Sequence, residues 1–149
     1  MDPMPKDVKR SYESPQREEQ ARRTKERILS SAAELFLDDG YQSTTVADVA
    51  RRAEVNVDTI YAVVGRKPDL VRELIERGLS GTDHVVPAAD RDYVAAIRAT
   101  SEPAEKLRVY AGATRAMHER TARLFGVLAD AAATDEAARS LHVELRERR

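Results

Sequence analysis

Between Thr44 and Leu70 the sequence TTVADVARRAEVNVDTIYAVVGRKPDL sets two short stretches of helical apolar spacing almost back to back. Two such short helices joined by a turn of about three residues are read as crossing rather than running side by side. Val46, Val49, Ala50 and Ala53 form the first stripe, with Thr44 or Thr45 as its cap and Asp48 near the third position, as in a capping box. After Glu54 and Val55, Asn56 is a suitable cap for the next helix, which carries Val57 to Val63 before Gly65 breaks it.

Helical spacing continues on both sides of this pair. From about Glu18, the residues Ile28, Leu29, Ala32, Ala33, Leu35 and Phe36 recur three or four apart, and Gly40 ends this long first helix. Residues 1–18, with prolines at 3, 5 and 15 and the cations Lys6, Lys9, Arg10 and Arg17, read as a mobile arm. Lys67-Pro68-Asp69 opens a fourth helix with Leu70, Val71, Leu74, Ile75 and Leu79 on its buried side. Ser80 to Pro87 reads as a loop and Ala88 to Ala99 as a short helix. Ser101-Glu102-Pro103 starts a longer helix, with a bend expected near His118 to Thr121. Thr134 is the expected cap of a last helix bearing Ala137, Ala138, Leu141 and Leu145. No strand-like alternation occurs, so the expected class is all-α.

Charge and composition narrow the function. The net charge of -1 gives no bulk basic signal, so binding to nucleic acid has to come from a local cluster such as Arg22, Arg23, Lys25 and Arg27. Without cysteine there is no disulfide framework or thiolate nucleophile. His84, His118 and His142 have no metal-ligand spacing, and HExxH, a glycine-rich phosphate loop and an elbow serine are all missing, so no catalytic residue, metal site or cofactor is assigned. No apolar run approaches the roughly 18 residues of a membrane span. The expectation is a soluble, cytoplasmic protein with no membrane partner.

The crossing pair has the geometry of a helix-turn-helix, whose second helix enters the DNA major groove. Val46, Val49, Ala50, Val55 and Ile60 hold the pair together, leaving Val57, Asp58, Thr59, Ala62 and the Tyr61 hydroxyl outward. At this point the segment ILSSAAELFLDDGYQSTTVADVARRAEVNVDTIYAVVGRKPDL resembles the DNA-binding domain of the TetR family of transcriptional regulators. The carrying elements are Gly40-Tyr41, Thr44-Thr45-Val46, Val49-Ala50, Val55, and Thr59-Ile60-Tyr61 followed by Lys67 and Leu70. The resemblance implies that Thr45, Tyr61 and Lys67 contact phosphates of double-stranded DNA, while Val57, Asp58, Thr59 and Ala62 face base edges. Two departures stand out. Glu54 occupies a turn position where the family often has glycine, and Val63-Val64 replace an aromatic or histidine.

The resemblance further implies a division into a helix-turn-helix domain at residues 19–66 and a helical ligand-binding and dimerisation domain at 67–149. The second is expected to be incomplete, because the chain is short for the family and stops within a helical pattern, leaving Leu141 and Leu145 short of cover. The implied activity is that of a repressor, a homodimer in its full-length form, which binds a palindromic operator and is released by a small-molecule effector. Candidate effector contacts are Tyr93, Leu107, Tyr110, Met117, His118, Phe125 and Leu128, chosen from inward helix faces, where ordinary core packing is the competing role. The competing function is a helical protein-interaction module that does not bind DNA.

Overall fold

The computed structural model describes residues 8–148; among them the chain forms seven α-helices, one 3-10 turn and no strand. The helices are α1 Val8–Asp38, α2 Val46–Arg52, α3 Val57–Val63, α4 Lys67–Ser80, α5 Asp92–Ala99, α6 Pro103–Ala132 and α7 Glu136–Glu147, with the 3-10 turn at Ala88–Asp90. The all-α expectation holds, as does the order of a helix-turn-helix followed by a helical body. Among the described residues no helix is long and apolar enough to cross a membrane.

Helix α1 starts well before Glu18, so residues 8–18 of the expected arm are helical, and residues 1–7 lie outside the described residues. Good helix formers surround Glu19, whose carboxylate takes both Arg22 at 2.7 Å and Arg23 at 2.8 Å from the next turn. Pro15 deprives the helix of one backbone donor without ending it.

One apolar cluster runs through the molecule. Ile28, Leu29, Ala32 and Phe36 of α1 meet Val49 and Ala50 of α2 and Ile60 of α3. The same cluster takes in Leu70, Val71 and Ile75 of α4, Leu124, Val127, Leu128 and Ala131 of α6, and Ala138, Leu141 and Leu145 of α7. Leu141 and Leu145 are therefore buried, against expectation, because α7 folds back onto both α4 and α6. Helices α4 and α6 approach closely at Gly78, where an added Cβ would meet Thr121 Cγ2 at 2.7 Å.

Two local expectations change. The segment 88–99 is not one helix, because Arg91 is extended at ψ 145° and separates the 3-10 turn from α5. Helix α6 runs through the expected bend region, His118 to Thr121, as one continuous helix, and there the Thr121 hydroxyl donates to the Met117 carbonyl at 2.7 Å, a bond of the kind that often bends a helix. The cap of α7 is Asp135 and not Thr134: Asp135 Oδ1 accepts from the amides of Ala137 at 2.9 Å and Ala138 at 3.1 Å. Thr134 is engaged elsewhere, its hydroxyl accepting from the Gln42 side chain.

Candidate nucleic-acid interface and ligand cleft

Helix α3 has seven residues and is held by a single deep anchor, Ile60, which is 0% exposed. Its opposite side presents Asp58, Ala62 and Tyr61, the last 51% exposed. Val57 and Thr59 are only half-exposed, and Val57 packs against the core. Helical spacing explains the difference, since Val57 stands three positions before Ile60 and leans towards the same side.

The turn that sets α3 across α2 depends on Glu54, whose φ of +55° lies in the left-handed region that glycine adopts without penalty. The amide of Val55 then donates to the carbonyl of Ala50 at 3.0 Å, closing the end of α2. The backbone thus keeps the turn that the family builds with glycine.

At the start of α2 the capping box is complete. Thr45 Oγ1 accepts from the Asp48 amide at 3.1 Å, while its own hydroxyl and amide donate to Asp48 Oδ2 at 2.6 and 2.9 Å. These bonds, with Arg51 alongside, hold the Asp48 carboxyl below its ordinary pKa. Both donors that the family resemblance assigns to a phosphate are therefore already engaged by a carboxylate.

Lys67, at the first position of α4, lies with its ammonium 4.0 Å from the centre of the Tyr41 ring. Tyr41 is buried, stacks on Phe36 with ring centres 5.6 Å apart, and donates its hydroxyl to Asp135 Oδ2 at 2.8 Å. Partial burial pulls the Lys67 ammonium below the usual lysine pKa, with Asp135 acting in the opposite sense. Burial and then the Asp135 bond push the Tyr41 phenol above its usual value. Lys67, Tyr41 and Asp135 form a stack that joins the helix-turn-helix to the N-terminus of α7.

Most cations near α3 have acidic partners. Arg51 pairs with Asp48, Arg52 with Glu34, and Lys25 with Glu73 at 2.8 Å. Arg27 and Arg66 are exposed, and their guanidinium groups form no ion pair among the described residues, although the Arg66 amide donates to Asp69 Oδ2 at 2.8 Å. Arg66 is absent from the residues picked out by sequence; its signal was its place between Gly65 and Lys67, directly after α3.

Residues 28–74 match the family model for bacterial regulatory proteins of the tetR family. The matched stretch takes in α2, α3 and the start of α4. Over 60 residues the chain is 33% identical to the HTH-type transcriptional regulator HbdR of Aromatoleum sp. (strain CIB), a match covering 40% of this chain and 26% of that protein. Over 101 residues it is 29% identical to the HTH-type transcriptional regulator TcmR of Streptomyces glaucescens, covering 68% of this chain and 40% of that one. The chain thus spans well under half the length of either relative. No solved structure gives a significant match. Residues 28–74 are thus similar to the DNA-binding helix-turn-helix of TetR-family transcriptional regulators.

The helical body of the chain contains a cleft of about 340 Å³ between the end of α4, α5, α6 and α7. Of the seven effector contacts expected from sequence, the cleft gathers Tyr93, Tyr110, Met117 and His118. Leu107 is 69% exposed and lies outside it, Leu128 is fully buried in the main core, and Phe125 packs against that core. Sequence reasoning missed Arg91, Thr114 and Arg148 in the same cleft, since apolar periodicity gives polar wall residues no weight.

Proposed function

We propose that this chain is the DNA-reading and effector-sensing portion of a sequence-specific cytoplasmic repressor. In its full-length form it acts as a homodimer on a palindromic operator and lets go when a small molecule enters the cleft. The observation that carries this reading is α3 itself: a short rod pinned by Ile60 on one side, with Asp58, Tyr61 and Ala62 open to solvent on the other. A helix anchored in this way can enter a groove about 12 Å wide without disturbing its own core.

In this reading residues 19–66 are the reading head and 67–149 the regulatory body. Tyr61 and Lys67 contact phosphates, Lys67 keeping its tyrosine support while its charge reaches outward. Thr45 joins them only after exchanging its bonds to the Asp48 carboxylate for bonds to a phosphate oxygen. Asp58, Ala62, Thr59 and the edge of Val57 read bases, with Asp58 suited to accept from a cytosine amino group. The role is regulatory and not catalytic.

The test is selection of bound sites from a random duplex pool with a dimer-competent full-length protein. A palindromic consensus whose affinity falls log-linearly with salt supports the reading. A pool that stays random at low salt overturns it and favours a protein-interaction module.

A further inference from the structure

The cleft carries more chemistry than an apolar slot needs. Arg91 is half-buried, and its Nε donates to the Val86 carbonyl at 3.3 Å while one terminal nitrogen rests 3.8 Å from Met117 Sδ. Neither neighbour is charged, and no carboxylate pairs with Arg91 among the described residues, although Asp90 and Asp92 flank it in sequence and are exposed. Arg148, across the cleft, is neutralised by Glu76 at 2.6 Å and Glu144 at 3.5 Å. Thr114 adds a second unsatisfied group: its Oγ1 is closed off from solvent and has no hydrogen-bond partner. A cation without a counter-ion and a hydroxyl without a partner thus both belong to residues that line the cleft, together with Tyr93 and Tyr110.

We infer that the cleft takes an organic anion, a carboxylate or sulfonate on a flat aromatic body, with Arg91 as its anchor. The inference rests on the effector reading above and adds the class of molecule. The anionic end meets the Arg91 guanidinium, whose planar fork suits a two-oxygen acid group. The aromatic body lies between Tyr93 and Tyr110, over Met117 and Leu79, in a space large enough for two fused rings and a substituent. Rotation of Thr114 about χ1 exchanges methyl for hydroxyl and gives the acid group a second donor. A neutral molecule of the same shape leaves Arg91 unpaired and binds more weakly.

The experiment uses the whole chain and two fluorescent probes that differ by one group. 1-Anilinonaphthalene-8-sulfonate carries the anion, and N-phenyl-1-naphthylamine is the same skeleton without it. The anionic probe is expected to bind once per chain, at least about tenfold tighter than the neutral one, and to be displaced by 2-naphthoate. Arg91→Met retains the stem packing and should erase that preference while neutral-probe binding is unchanged; Arg91→Lys should restore part of it. Leu107→Ser, outside the cleft, should alter neither. Circular dichroism melts of each variant verify folding. If both probes bind equally and Arg91→Met changes neither affinity, the anion assignment fails and the effector cleft stands. If neither probe binds at one site per chain, the effector reading fails with it.

Discussion

The ammonium of Lys67 rests 4.0 Å from the centre of the Tyr41 ring, and the far end of that ring is fixed by Asp135. Tyr41→Phe keeps the ring, its stacking on Phe36 and the platform for Lys67, and removes only the hydroxyl bond to the carboxylate. A buried bond to a charged group is worth about 1.5–3 kcal/mol. With Asp135 still capping α7, the variant should lose about 1–2 kcal/mol in urea unfolding.

Acid should find the same place. Burial works against the Asp135 charge, but the Tyr41 hydroxyl, the amides of Ala138 and Ala137, and Lys67 outweigh it, so the carboxyl stays below its ordinary value in the fold. A depressed carboxylate contributes stability that is present above its unfolded pKa near 3.9 and lost as pH falls through the folded one. Unfolding followed from pH 6 down to pH 2 should therefore show a shallower acid limb for Asp135→Asn than for the natural chain.

Glu54 at φ +55° holds a left-handed turn against its own side chain. Glu54→Gly should relieve that cost, about 1 kcal/mol, less part of the backbone entropy that glycine brings to the unfolded chain. The expected outcome is a midpoint equal to or above that of the natural chain, measured by thermal and urea unfolding, whereas Glu54→Val should fall clearly below it.

On DNA, Lys67→Ala should weaken binding to operator and random duplex alike and make the log-log salt slope shallower by about one. Tyr61→Phe should weaken both without changing the slope. Asp58→Asn should instead change which sequences are preferred. Anisotropy titrations with two duplexes at several salt concentrations separate these outcomes.

Leu141 is almost wholly buried where α7 meets the main cluster. Leu141→Ala should cost about 2–5 kcal/mol, the range for a truncated buried leucine. Its neighbour Val143 is 51% exposed, and the same truncation there should stay within about 0.5 kcal/mol.

What could be read from sequence was local. A threonine cap for α2 at Thr44 or Thr45, Asn56 before α3, Ile60 inward and Tyr61 outward all follow from caps and spacing within one or two turns; the structure has each of them, with Thr45 as the cap. The Tyr41–Asp135 bond joins positions 94 residues apart and has no local signature. Spacing also names the apolar face of a helix without saying how much of its length a neighbour covers. Leu107 and Leu128 share α6, yet one projects into solvent and the other is sealed in the core. The cap of α7 was missed by one residue because Thr134 and Asp135 are both able caps, and the choice fell to Gln42, from the loop between α1 and α2.

The apolar cluster that threads Ile28, Ile60, Ile75, Leu128 and Leu145 draws on helices from both sides of residue 66. Calorimetry should accordingly record a single endotherm with no shoulder, and a protease given a brief pulse of heat should find the reading head and the body opening together. Damage at the far end of α7 is then felt at the groove-facing rod as a lower population of intact molecules, with no contact between the two required.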